Sequence, residues 1–217
     1  MDANPLIVKS EKTQLLELGE RHLNRIETLT AIWEATEALT SSDLLNRIMG
    51  LKRLVESSAV QEYSLVAYVL ATRIVEPDIE LRARIVSALA EVVSIDQSTI
   101  RNSGVYKTIT SYLAGLRTRQ IFALLQVVEF DRSKEESTAE LLSYCSFAGE
   151  HLGQILTNRQ ASISIRRQAA KFIGKIGYLD ALPTLERMVS RLEDRREEDD
   201  SPLYPTLLEA IQLLRSP

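Results

Sequence analysis

Residues 165–185 read IRRQAAKFIGKIGYLDALPTL. Two adjacent arginines open the stretch, an alanine pair follows, and two glycines stand three residues apart. The fold turns on whether this is a basic motif or a packing seam. Ala169, Ala170, Phe172, Ile173 and Gly174 read as packing positions, with small residues letting helices approach and longer side chains such as Phe172 and Ile176 filling between them. Arg167, Lys171 and Lys175 fall outside that set and form the edge open to a partner.

Two other segments share the pattern. LRARIVSALAEVV (81–93) and LRTRQIFALLQVV (116–128) agree at seven of thirteen positions, and IRRQAAKFIGKIG (165–177) keeps the aliphatic-Arg opening and the apolar spacing. The offsets are 35 and 49, and together they span 84, twice 42. A period of roughly 40–47 residues belongs to stacked helical hairpins of the HEAT and armadillo types. One hairpin cannot bury its apolar face alone, so neighbours stack.

The rest of the chain agrees with helices. Of 217 residues, 45% are hydrophobic and only 6% aromatic, and no alternating run is bounded by turn residues on both sides. Ser58-Ala59-Val60-Gln61 and Ser133-Lys134-Glu135-Glu136 have the capping-box form. Asp78, Ser41 or Ser42, and Ser201 offer further starts; Gly115, Gly177 and the residues before Pro77 offer stops. These marks predict helices near 11–39 (with a break permitted at Gly19), 42–57, 59–75, 79–94, 105–114, 117–131, 134–157 (divisible at 148–153), 163–176, 179–194 and 203–215.

At this point the chain resembles the HEAT-repeat and HEAT-like (armadillo-type) families. IRRQAAKFIGKIGYLDALPTLERMV (165–189) resembles one unit, with an aliphatic-Arg pair opening its second helix and Pro183 in the helix that follows. PDIELRARIVSAL (77–89) is similar, with Asp78 before Leu81-Arg82. The resemblance is good over 152–190, fair over 60–131 and weak over 1–57. It does not extend an Asp–Arg contact to the third copy, because RQASIS has no Asp before its Ile-Arg. It implies an all-α, right-handed α-solenoid of antiparallel hairpins as one domain over 1–217. Residues 1–40 would cap it, 41–190 would carry the repeats, and 191–217 would supply an acidic loop and a capping helix. Arg82, Arg117 and Arg166 would then serve hydrogen bonding between repeats.

Charge points to a binding role. Net charge is −5 over 1–100, +5 over 101–178 and −4 over 179–217. Residues 97–128 and 151–179 contain no acid; the first carries Arg101, Lys107, Arg117 and Arg119. Arg84, Arg119, Arg167, Lys171 and Lys175 are the candidate contacts for a protein or peptide with an acidic surface. Nucleic acid is disfavoured, since the chain is acidic overall and poor in stacking aromatics. The charged run RLEDRREEDDSPLYP (191–205) reads as a solvated loop, or as cover for the basic band of a second copy in a homo-oligomer. The first helix places Leu16, Leu23, Ile26, Leu29, Ile32 and Trp33 at near-helical spacing, as a cap or a dimerisation face.

Catalysis, metal and cofactor find little support. His22 and His151 are the only histidines and have no ligand-spaced partner on their own helices. The single cysteine, Cys145, reads as a small core residue and allows no intrachain disulfide or Cys-based zinc site. MDANPLIVKSEK lacks a basic n-region, and YSLVAYVLATRIV (63–75) is too short to span a bilayer, so a cytoplasmic location with no membrane partner is expected. The expected function is a non-enzymatic protein-binding scaffold. The alternative is a nucleic-acid-binding HEAT-like protein of the DNA-alkylation-repair glycosylase type, which this chain resembles in architecture.

Overall fold

The computed structural model describes residues 5–94, 104–195 and 202–216. The expectations placed on the Leu16 side chain, on Arg101 and on residues 196–201 lie outside the described residues. Among the described residues the chain is all helical, with no strand. The helices are α1 (Pro5–Leu39), α2 (Leu44–Glu56), α3 (Ala59–Glu62), α4 (Ser64–Thr72), α5 (Ile79–Ser94) and α6 (Gly104–Ala114). They continue as α7 (Thr118–Phe130), α8 (Glu135–Ser143), α9 (Ala148–Thr157), α10 (Ile163–Ile176), α11 (Leu182–Arg195) and α12 (Tyr204–Arg215). Short 3-10 turns cover Arg73–Val75, Arg132–Lys134 and Leu179–Ala181. The chain divides into two compact units, Met1–Ala59 and Val60–Pro217.

In the first unit α1 runs unbroken through Gly19, and its last turns meet α2. Asp43, rather than Ser41 or Ser42, caps α2, its Oδ1 accepting from Asn46 N at 2.9 Å. The two helices cross at Gly50, where a Cβ would lie 2.6 Å from Ala35 O and from Leu39 N. Ala35, Leu39, Leu51 and Leu54 are buried there. Of the near-helical stripe on α1, Ile32 is buried, whereas Leu23 and Trp33 are each 61% exposed. The reason is length: α2 has 13 residues against 35 in α1, so it covers one end only.

In the second unit α7 lies at the centre, packed against α5, α8, α9 and α10. Ile121, Ala123, Leu124, Leu125, Val127 and Val128 all point inward from it. α10 packs in turn against α7, α8, α9 and α12. It needs Gly174 for the α12 crossing, where a Cβ would stand 2.6 Å from Ala210 Cα. Phe172, two residues earlier, is wholly buried. Gly177 ends α10 in the left-handed region at φ 88°, its N–H donating to Ile173 O.

The helix starts differ from the expected caps in an informative way. Asp78 Oδ1 accepts from Leu81 N at 2.8 Å and starts α5. Ser162 occupies the same place before α10, its Oγ accepting from Ile165 N at 3.2 Å, so serine does the work of the missing aspartate. Ser58 sits at φ 57°, outside the extended region an N-cap requires. Before α8, Asp131 Oδ1 accepts from Ser133 N at 2.9 Å, displacing the expected Ser133 capping box. The stretch 134–157 is two helices, parted at residues 144–147 just ahead of AGEHLG. Tyr178 closes the end of α8 by donating its hydroxyl to Leu142 O at 2.5 Å.

The three opening arginines have two different fates. Arg82 and Arg166 are each the fourth residue of their helix and are buried. Arg82 Nε donates to Glu76 O at 2.6 Å, and its Nη1 reaches Gln126 Oε1 on α7 at 2.8 Å. Arg166 Nε donates to Leu156 O at 2.9 Å, in the last turn of α9. Both satisfy a carbonyl at or just past the end of the preceding helical segment. Arg117 departs from its expected role. It is exposed at the N-cap of α7, and the fourth residue of that helix is the buried Ile121.

Candidate functional site

The basic edge of the opening stretch is the exposed face of α10, where Arg167, Lys171 and Lys175 recur every fourth residue. The structure brings two of them onto carboxylates at the start of α8. Lys171 Nζ lies 2.6 Å from Glu135 Oε2, and Lys175 Nζ lies 3.0 Å from Glu135 Oε1 and 2.5 Å from Glu136 Oε1. Lys171 and then Lys175 hold the Glu135 carboxyl below the usual carboxylate range, against an opposing pull from burial. Burial pulls Lys175 down, but Glu136 and Glu135 together outweigh it and raise the ammonium above its ordinary value. Arg167 Nε meets only a long contact, 3.5 Å to Thr206 Oγ1 on α12.

Arg84 and Arg119 are exposed on α5 and α7. The carboxylates of α8 pair with Lys171 and Lys175, and among the described residues no ion pair reaches Arg84, Arg119 or Arg167. The five candidates therefore sort into Arg84, Arg119 and Arg167, whose charges face solvent, and the two lysines, whose charges are already compensated. The signal for that compensation was the Glu135-Glu136 pair, which helix-start logic assigned to a cap instead.

A feature the sequence did not reveal is a cleft of 570 Å³ between α9 and α11. Its charged lining is Glu150, Asp180, Arg187 and Arg191. Gly149, Gly153, Ala181 and Met188 supply small or soft surface. α10 connects the two walls, and only that crossing makes neighbours of residues some 30 apart in sequence. Glycine at 149 and 153, one helical turn apart, was the available hint.

Of the groups with chemical potential elsewhere, His151 and Cys145 are held by structural contacts. His151 is buried on α9, with Nδ1 3.0 Å from Thr118 Oγ1, and the same hydroxyl lies 2.9 Å from Gln154 Oε1. His22 is exposed on α1. Cys145 is buried, its Sγ directed to Leu116 O at 3.7 Å, and burial pushes the thiol up from its usual value. A thiol shifted that way is a poorer nucleophile at neutral pH. Among the described residues no group of three or more His, Cys, Asp or Glu is placed to hold a metal ion, and no helix is long and apolar enough to cross a membrane. Comparison of the chain with protein-family models, with curated proteins and with solved structures yields no match.

Proposed function

We propose that the larger unit is a right-handed α-solenoid of HEAT-like hairpins and that the chain works as a non-enzymatic protein-binding scaffold. The observation that carries this is the likeness of α5 and α10. Eighty-four residues apart, each has a polar cap three residues before an aliphatic-Arg pair, and each buries that arginine against a carbonyl behind it. Their buried positions also correspond: Ile165, Arg166, Ala169, Ala170, Phe172, Ile173 and Gly174 match buried residues of α5 one for one. A packing device that recurs with its burial pattern supports a stacked array. The partner is an acidic protein or peptide, met first by Arg84, Arg119 and Arg167, since Lys171 and Lys175 offer less uncompensated charge.

The test is affinity purification from the native cell with the full chain, repeated with Arg84→Glu, Arg119→Glu and Arg167→Glu combined. The expected result is an acidic protein retained at about 150 mM salt and lost from the triple variant. Tight retention of DNA or RNA at that salt, abolished in the same variant, overturns the scaffold reading in favour of a nucleic-acid-binding one.

A further inference from the structure

Resting on the protein-binding reading, we infer that the cleft between α9 and α11 is a peptide site separate from the α10 face. Its ligand is a short extended segment carrying one basic and one acidic side chain about two to five residues apart. The walls run side by side in the same direction. Asp180 covers Gly149 so closely that a Cβ there would collide with its carboxylate, and one turn on, Gly153 faces Thr184. Charge is therefore sorted along the groove. Glu150 and Asp180 stand at the end where α9 begins, and Arg187 and Arg191 stand seven and eleven residues beyond Asp180. Arg187 folds its guanidinium back to Pro183 O and Thr184 Oγ1, so at 1.5 Å per helical residue the basic groups stand about 6–16 Å beyond Asp180. An extended chain covers that distance in about two to five residues. The cleft has no net charge, so it favours a ligand bearing both signs over a purely acidic one.

Each wall holds one charged group in position. Arg187 Nε donates to Pro183 O at 3.1 Å and an Nη donates to Thr184 Oγ1 at 3.3 Å, which fixes the fork and leaves other N–H groups for a carboxylate. Opposite, Glu150 Oε1 accepts from Gln154 Nε2 at 3.3 Å, and Gln154 Oε1 in turn accepts from Thr118 at 2.9 Å. Groups already held lose less freedom when a ligand arrives.

Gly153 supplies the independent clue. A helix interior loses about 1 kcal/mol with glycine in place of alanine. Close packing does not demand it here, because a Cβ would lie 3.9 Å from Thr184 Cγ2, an ordinary contact. The missing side chain keeps the groove floor open.

Panning a displayed library of random linear heptapeptides on the full chain tests this, with enriched peptides measured by fluorescence polarisation. The expected peptides carry Lys or Arg and Asp or Glu two to five positions apart, and bind at least about tenfold more weakly to Arg191→Glu and to Gly153→Leu. Gly153→Leu blocks the groove without changing charge, and thermal melting of both variants establishes that they fold. No enrichment, enriched peptides without the charge pair, or affinities unchanged in both folded variants overturns the site. The two readings fail separately: an acidic partner lost from the Arg84, Arg119 and Arg167 variant, with no charge-paired peptide enriched on the unaltered chain, leaves the scaffold standing without the cleft, whereas retention of nucleic acid in place of a protein partner overturns the scaffold whatever the panning selects.

Discussion

α5 and α10 carry their opening arginine inside the protein; α7 follows a Leu-Arg pair of its own and carries that arginine outside. The difference lies in where each helix begins. Asp78 and Ser162 start their helices three residues ahead of the aliphatic residue, which places Arg82 and Arg166 in the second turn and against a carbonyl. α7 starts one turn later relative to the same pair, so Arg117 is its N-cap and Ile121 takes the buried place. The backbone N–H of Arg117 is satisfied by Gln120 Oε1 at 3.1 Å. A matching residue in a matching sequence window thus carries a different load because a cap has moved by one turn.

Substitution at the three positions is the strongest test of that contrast. Arg82→Met removes donors from Glu76 O and Gln126 and a countercharge from beside the Glu76 carboxylate, which is 1% exposed. Losing one partner in such a buried cluster costs about 3–4 kcal/mol. Arg166→Met leaves the carbonyl of Leu156 without its Nε donor and costs about 2–3 kcal/mol. Arg117→Met changes stability by less than about 0.5 kcal/mol, as surface substitutions do. Urea titrations with unchanged slope measure all three, and equal losses at the three sites would break the comparison.

Two of the glycines that face other helices extend it from arginines to backbone. Gly174→Ala forces a Cβ to 2.6 Å from Ala210 Cα, where neither backbone can yield cheaply, and costs about 1–3 kcal/mol with a matching fall in thermal midpoint. Gly153→Ala meets nothing closer than 3.9 Å and raises stability by up to about 1 kcal/mol. A loss at Gly153 as large as at Gly174 would show that the cleft is a packed seam rather than an open groove.

These contrasts also mark what the sequence could say. Local signals were legible: Asp78 as a cap, Gly177 as a stop, Gly174 as packing, and the buried burden of α5 and α10. Each depends on residues within a turn or two of itself. Arg117 was misplaced because seven identities in thirteen positions align side chains without locating the helix start. The division of 134–157 was anticipated, but it falls at residues 144–147, ahead of the glycines. Glu135 and Glu136 were assigned to their own helix start because their true partners, Lys171 and Lys175, are 36 to 40 residues away. The α9–α11 cleft lay furthest out of reach, since no local rule states which faces two helices leave apart when a third connects them.

The smallest expected effect separates the paired lysines of α10 from the unpaired Arg84 of α5. Glu135 has its carboxyl held below the ordinary value chiefly by Lys171, so it stabilises the fold above the unfolded carboxyl pKa, about 4.3, and that contribution disappears as pH falls through the folded value. Lys175 is raised, so its share is complete below the unfolded lysine pKa, about 10.4, and fades as pH climbs through the folded value. Between those limits the contribution is flat. The Glu135 side chain is 21% exposed and that of Lys171 44%, so solvent screens the pair and its worth is only ~0.5 kcal/mol. The stability difference between wild type and Glu135→Gln, followed by urea titration from pH 3 to 8, therefore holds steady near neutrality and shrinks as pH falls below the ordinary carboxylate range. Arg84→Gln gives no such pH-dependent difference, having no carboxylate to lose. A Glu135→Gln deficit that persists undiminished at pH 3 would mean that Glu135 acts through packing, and the lysines of α10 would then join Arg84, Arg119 and Arg167 as charges open to a partner.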